Sequence, residues 1–209
     1  YAKNEKQVRS IASITKLMTA MIVLDSGAPL SEILTITHDD VDHLKGTSSR
    51  LPVGTRLSRY EMLRLALMSS ENRASSALAR HYKGGRQAFI VAMNTKAAAL
   101  GMRNTRFSDA TGLTPANVST AEELARLVRA SHHYGLIREF STTSNRDIVT
   151  ARTGTLHYNN SNALLREPAS TDWNILVSKT GFTNEAKRCL VMMANVENRP
   201  AVMVFLGAE

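Results

Sequence analysis

Ser13 and Lys16 stand at positions i and i+3. On a helix that spacing puts both side chains on one face, about 5 to 6 Å apart at Cβ. A serine hydroxyl is a weak nucleophile until a base takes its proton. A lysine can be that base only where burial or a nearby cation lowers its pKa. A serine near a helix N-terminus would also develop its negative charge at the positive end of the helix dipole. The pair alone means little, because roughly 0.7 such S-x-x-K pairs arise by chance at this composition.

Two further triplets carry similar chemistry. Ser70-Glu71-Asn72 sits between two apolar helical patterns. Its serine can relay a proton and its asparagine amide can hold a substrate carbonyl or amide. By itself it reads equally as an interhelical turn with capping residues. Lys179-Thr180-Gly181 ends an apolar strand. It offers a fixed cation, a hydroxyl and a glycine that lets backbone approach closely. Chance gives only roughly 0.04 copies of this triplet.

Other signatures are missing or weak. The chain has no G-x-S-x-G, H-E-x-x-H, Walker loop, G-x-G-x-x-G or C-x-x-C. His38-Asp39-Asp40-Val41-Asp42-His43 has metal-ligand residue types. Adjacent residues rarely converge on one ion, so it reads as a solvated loop and no metal is expected. Arg152-Thr153-Gly154 imitates the lysine triplet without a strand leading into it and reads as loop. Cys189 and the methionines read as core.

The elements that must position these groups follow from periodicity. Apolar residues at helical spacing predict a largely buried helix over residues 12–26, closed by Gly27. Residues 33–37 read as a short strand and 38–57 as loop. Ser58-Arg59-Tyr60-Glu61 has capping-box form ahead of an apolar run over 62–68. Further helices are predicted over 73–81 and 86–100, the latter stopped by Gly101. Ser119-Thr120-Ala121-Glu122 reads as another capping box, opening a helix that ends near Gly135. Apolar segments 174–179, 189–195 and 201–206 predict an antiparallel meander, with Gly181 and Glu197-Asn198-Arg199-Pro200 as turn material. Helices first and strands last imply an α/β (α+β) fold, with no repeat and no linker.

Composition narrows the function classes. At 209 residues with 43% hydrophobic and 21% charged residues, the chain can bury a real core, which excludes global disorder. No apolar run reaches the roughly 18 to 20 residues of a membrane span. A single cysteine excludes an internal disulfide. The net charge of +8 favours an anionic partner, but the basic residues are scattered and aromatics are only 5%, so nucleic acid is not expected. The chain opens at Tyr1 with no signal-peptide pattern, which reads as a processed or excised product.

Taken together, the three triplets resemble the active-site set of penicillin-binding proteins and class A β-lactamases, whose middle member is S-D-N. Here Glu71 gives the broader S-x-N form. Residues 11–20 resemble the active-serine segment of the low-molecular-mass penicillin-binding proteins, the serine peptidases of family S11. Segments 43–54, 65–74, 107–113, 117–121 and 179–184 extend the likeness to that family's D-alanyl-D-alanine endopeptidase branch over nearly the whole chain.

The resemblance implies a β-lactamase/transpeptidase-like fold: an antiparallel sheet flanked by helices, with a helical subregion and the site in the cleft between. It implies one domain over 1–209, short of a first strand and a last helix, with one sheet face partly uncovered. It makes Ser13 the acylated nucleophile, Lys16 its base with Lys179 helping to depress the pKa, and Ser70 the proton shuttle. Asn72, Lys179, Thr180, Gly181 and Phe182 would bind substrate, with the N–H groups of Ser13 and Phe182 as oxyanion hole. Phe182 stands where D,D-carboxypeptidases often carry histidine, which points to the endopeptidase branch. The implied partners are peptidoglycan stem peptides and cross-bridges, with β-lactams as covalent inhibitors and no cofactor. The implied place is the periplasm, with peripheral association to sacculus or membrane. The rivals are a D,D-carboxypeptidase, a β-lactamase and a catalytically silent binding module. Class A β-lactamases carry a deacylating glutamate in E-x-x-x-N, and no Glu here has Asn four residues later.

Overall fold

The computed structural model describes residues 1–150, 154–166 and 173–209. After a short β1 (Arg9–Ser10) and a 3-10 turn over Ala12–Ile14, α1 (Thr15–Asp25) runs through the centre of the molecule. Residues Thr15 through Val23 are all buried. A helix apolar on every side must be surrounded, and α1 is. Its neighbours are α2 (Arg59–Met68), α3 (Asn72–Arg80), α4 (Gly85–Ala99), α5 (Ala121–His132) and α6 (Gly135–Thr142). Between α1 and α2 lies a small ribbon of β2 (Ile33–Thr35) with β3 (Arg56–Ser58). The stretch 38–57 is therefore not all loop: it holds a 3-10 turn over His38–Asp40 and ends in β3.

Side-chain caps open three of the six α-helices among the described residues, α2, α3 and α5. The Ser58 hydroxyl accepts from the Glu61 N–H at 3.2 Å. On α5 the cap is Thr120, one residue later than predicted, accepting from the Glu123 N–H at 3.2 Å. The Glu123 carboxylate does not return to the cap. It takes the Asn104 N–H and the Thr105 hydroxyl instead, which ties α5 to the preceding loop. That loop runs into β4 (Val118–Ser119), which pairs with β1.

Two features lay outside the sequence reading. The helix predicted to end near Gly135 ends at His132, and Gly135 opens the separate α6. Next comes a hairpin of β5 (Asn145–Thr150) and β6 (Gly154–Asn159). Its strands are mostly exposed and give no clear alternation. Gly154 is the first residue of β6, while Arg152 and Thr153 lie outside the described residues.

The predicted meander is the principal sheet: β7 (Asn174–Thr183), β8 (Lys187–Val196) and β9 (Arg199–Ala208), antiparallel in that order. Glu197 and Asn198, at φ +49° and +61°, form the two-residue turn between β8 and β9. Gly181 is not turn but lies within β7, paired with Cys189, and Arg199 and Pro200 already belong to β9. Leu124, Leu127, Val128 and Ser131 form the buried stripe of α5, which packs on the sheet beside α6. On the opposite face Ile175, Met192 and Ala194 meet Leu164 and Leu165 of a 3-10 turn. Phe205 projects on that same outer face and is 53% exposed.

Asp40 is no part of a solvated loop. It is buried, and its carboxylate holds Arg80 at 2.8 Å and Arg86 at 3.1 Å, joining the 38–40 turn to α3 and α4. Burial by itself raises its pKa. The Arg80 guanidinium, the Thr37 N–H and the Ser76 hydroxyl outweigh that, so the carboxyl lies below its usual range. A depressed carboxyl contributes stability that is complete above the unfolded pKa and is lost as pH falls through the folded one. Asp40→Asn should therefore cost about 2–3 kcal/mol at pH 7, read as a lower urea midpoint at unchanged slope. The difference should shrink on acidification through the lowered pKa.

Candidate active site

Ser13 lies in the 3-10 turn that leads into α1, and Lys16 lies in the first turn of α1. Lys16 Nζ is within hydrogen-bond reach of three oxygens: Ser13 Oγ at 2.9 Å, Asn72 Oδ1 at 2.8 Å and the Thr111 carbonyl at 2.7 Å. As an ammonium it donates to all three. As a neutral amine it keeps two N–H bonds, which match the two acceptors that cannot donate, Asn72 Oδ1 and Thr111 O. Its lone pair then faces the one partner with a hydrogen to give, the Ser13 hydroxyl. Burial lowers the Lys16 pKa to about 7, while the carboxylates of Asp109 and Glu71 pull it back up. Desolvation is thus the largest cause of the lowering of this lysine. Lys179 is itself lowered well below its ordinary value, first by burial and then by the charge of Lys16.

The backbone around Ser13 is tightly held. Ala12 has φ +46°, a left-handed conformation that alanine adopts only at a cost. Glycines press on it from two sides. A Cβ on Gly112 would stand 1.9 Å from the Ala12 carbonyl oxygen, and one on Gly181 would stand 3.1 Å from Ser13 N. The glycine of the Lys179 triplet is therefore there to let β7 lie against the serine turn.

The other predicted residues fall around the same groove, of about 680 Å³, with Ser13, Ser70, Asn72, Thr180, Gly181 and Phe182 among its walls. Ser70 links α2 to α3 at φ +60°, and its hydroxyl has no hydrogen bond among the described residues. Asn72 opens α3, and its Nδ2 donates to Thr47 Oγ1 at 3.1 Å. Lys179 lies buried beneath the groove and donates to the Thr180 carbonyl at 2.9 Å. Thr180 Oγ1 donates to Ser161 Oγ at 2.7 Å. Phe182 is exposed, with the Arg188 guanidinium 6.0 Å from its ring centre. Cys189 is buried, as core, behind the same wall.

Sequence reasoning assigned no role to the groups that hold these in place. Asn117 is buried and stitches the loop 108–113, accepting from Ser108 N and donating to Asp109 and to Thr15 Oγ1. Asp109 Oδ1 in turn accepts from the N–H groups of Thr111 and Gly112. This presents the Thr111 carbonyl to Lys16. The signal was there in Asp109-Ala110-Thr111-Gly112, an aspartate two and three residues before the N–H groups it caps. Ser161 had no comparable signal. Among the described residues no group of three or more histidine, cysteine, aspartate or glutamate side chains could hold a metal ion.

Gly112→Ala should lower stability by about 3 kcal/mol in urea unfolding, since the added methyl meets rigid backbone. Gly27→Ala is the control. Its φ is also left-handed, at +65°, but nothing lies within 4 Å of the new Cβ, so about 1 kcal/mol is expected.

Comparison with known proteins places this geometry. Residues 1–209 match the family model of peptidase family S11, described as D-alanyl-D-alanine carboxypeptidase. The chain is 49% identical over 209 residues to a D-alanyl-D-alanine endopeptidase of Pseudomonas aeruginosa, covering 100% of this chain and 66% of that protein. It is 49% identical over 210 residues to the protein of the same name in Escherichia coli, with the same coverage of 100% and 66%. The chain thus spans just under two thirds of the length of these relatives. The crystal structure of the Streptomyces K15 DD-transpeptidase superposes with a TM-score of 0.88 at 31% identity, over 99% of this chain and 83% of that one.

Proposed function

The chain belongs to peptidase family S11, and on that premise we propose that it is a serine D,D-peptidase that hydrolyses D-Ala-containing cross-links of peptidoglycan. The observation that carries the reading is the Lys16 amine, buried and in contact with Ser13 Oγ, Asn72 Oδ1 and the Thr111 carbonyl. Neutral Lys16 takes the Ser13 proton as Oγ attacks the D-Ala carbonyl. The oxyanion that forms is held by the N–H groups of Ser13 and Phe182, each worth about 2.7–4 kcal/mol in acyl transfer. Ser70 passes the proton on to the leaving amine, and the C–N bond breaks to leave an ester on Ser13. Lys179 and Thr180 hold the carboxylate beside the scissile bond. Asn72 orients both Lys16 and the substrate amide. Water then attacks the ester, so one hard step becomes two easier ones. The residues need no metal or organic cofactor for this sequence of steps.

A β-lactam ring presents the same amide and carboxylate, so penicillins should acylate Ser13 and stay. The endopeptidase reading is supported by the names of the two relatives at 49% identity. Carboxypeptidase activity is the second reading, supported by the description of the family. Residues 1–209 would form one catalytic domain acting in the periplasm on an anionic sacculus, which suits a net charge of +8. No helix among the described residues is long and apolar enough to cross a membrane.

Incubation with benzylpenicillin should give a long-lived covalent adduct that peptide mapping assigns to Ser13 and that Ser13→Ala abolishes. Purified cross-linked dimer should then yield two monomers. Release of terminal D-Ala alone would select the carboxypeptidase, and rapid turnover of the adduct would select a β-lactamase. Because Lys16 must be neutral, the acylation rate should rise about tenfold per pH unit below 7 and level off above it. A flat profile between pH 5 and 8 would remove Lys16 as the base.

A further inference from the structure

Beside the groove of Ser13 lies a second cavity of about 450 Å³ that no step of the proposed reaction uses. It shares Ser70, Asn72 and Ser161 with the groove, so the two are continuous. The end of β6 builds it. Ser69 Oγ donates to the Asn159 carbonyl at 2.8 Å, and Ser161 N donates to the Met68 carbonyl at 2.8 Å, which docks the segment after β6 onto the end of α2. Its lining is polar. Tyr158 forms one wall, with its hydroxyl buried and without a hydrogen-bond partner among the described residues. Arg50 and Arg166 stand exposed at the mouth. Each is anchored by one bond to a backbone carbonyl, Arg50 to His157 and Arg166 to Asn160. The Arg50 guanidinium also lies 5.5 Å from the centre of the Tyr158 ring. Among the described residues the one acidic group in the wall, Glu71, is already engaged by the Ser49 hydroxyl at 2.6 Å and the Arg73 N–H at 3.2 Å.

We infer that this cavity is a binding subsite for a carboxylate carried by the leaving half of the substrate, several bonds beyond the scissile amide. The inference rests on the cross-link reading above. Position decides which half is bound: the cavity opens from Ser70, the hydroxyl that delivers the proton to the leaving amine. Charge decides the group: two exposed guanidinium forks line the cavity, and a carboxylate takes their paired N–H bonds in its own plane. Reach decides the consequence. A leaving D-Ala carries one carboxylate, which Lys179 and Thr180 already hold, and it has nothing to place in a second pocket. A leaving stem peptide has a remote end that can enter it. The subsite therefore favours cutting between strands over trimming a terminus.

The test compares two cross-linked dimers that differ only at the remote carboxylate of the leaving stem, free in one and amidated in the other. Rates are normalised to the sites that benzylpenicillin titrates, which separates misfolding from lost recognition. The wild-type enzyme should cleave the free acid with about tenfold higher kcat/KM, the scale of one exposed charge-assisted contact. Arg50→Gln and Arg166→Gln should each bring that ratio toward one, and Arg50→Lys should restore part of it. Equal cleavage of both dimers by wild type, or a ratio that the variants leave intact, overturns the subsite while the cross-link reading stands. If neither dimer is cut although Ser13 is acylated, the cross-link reading itself falls and the subsite with it.

Discussion

Everything in the site depends on keeping one lysine dry. An amine in water holds its proton far above neutral pH, and no arrangement of serine beside it would then supply a base. Lys16 escapes this because it stands on a helix buried from Thr15 through Val23, with its nitrogen closed in by Ser13 of the preceding turn and by groups from two distant parts of the chain. Burying a polar nitrogen without partners would be prohibitive. The Asn72 amide and the Thr111 carbonyl remove that penalty while remaining unable to give the nitrogen a proton. The architecture around α1 can be read as the means of delivering those two oxygens to one point.

A second constraint follows from the first. The groups that converge on Ser13 can do so only if backbone meets backbone at close range. Gly181 brings the edge of the sheet against the serine turn, and Gly112 brings the loop that carries the Thr111 carbonyl against the same turn. Ala12 and Ser70 answer with left-handed conformations that neither residue prefers. Such positions persist only where the surroundings over-determine them. Here the surroundings are the Asn117–Asp109 network on one side and the junction of α2 and α3 on the other.

Much of this was legible in the residues themselves. The three triplets of the candidate site were visible because the chemistry they would perform demands particular side chains, and the central helix and the meander were visible because burial imposes a period. What stayed hidden has a common cause. The strands β5 and β6 are exposed and hold no alternation, so no periodicity marks them. The helix α6 follows α5 after only a two-residue break, and the apolar pattern runs across the gap. The cap of α5 was misplaced by one residue because two serine- or threonine-led patterns overlap at Ser119 and Thr120. Thr111 acts through its carbonyl, which every residue has, and no side-chain type announces that use. Asp40 looked like a surface carboxylate because its two arginine partners lie on α3 and α4, far along the chain.

The spread of the site along the chain has a consequence for how the protein comes into being. Ser13 lies near one end, and the strand that carries Lys179 and Gly181 lies near the other, with Asn72 and Thr111 between them. Their meeting is highly non-local, and contacts of that kind carry the largest loop-closure cost. Helices α2 to α4 can pair locally well before the sheet arrives. A chain in that state has a solvated Lys16, a protonated amine and an unactivated serine. Under the proposed mechanism, reactivity would then require these long-range contacts to be closed, and a partly folded or unravelling chain would be chemically silent without any inhibitor to keep it so.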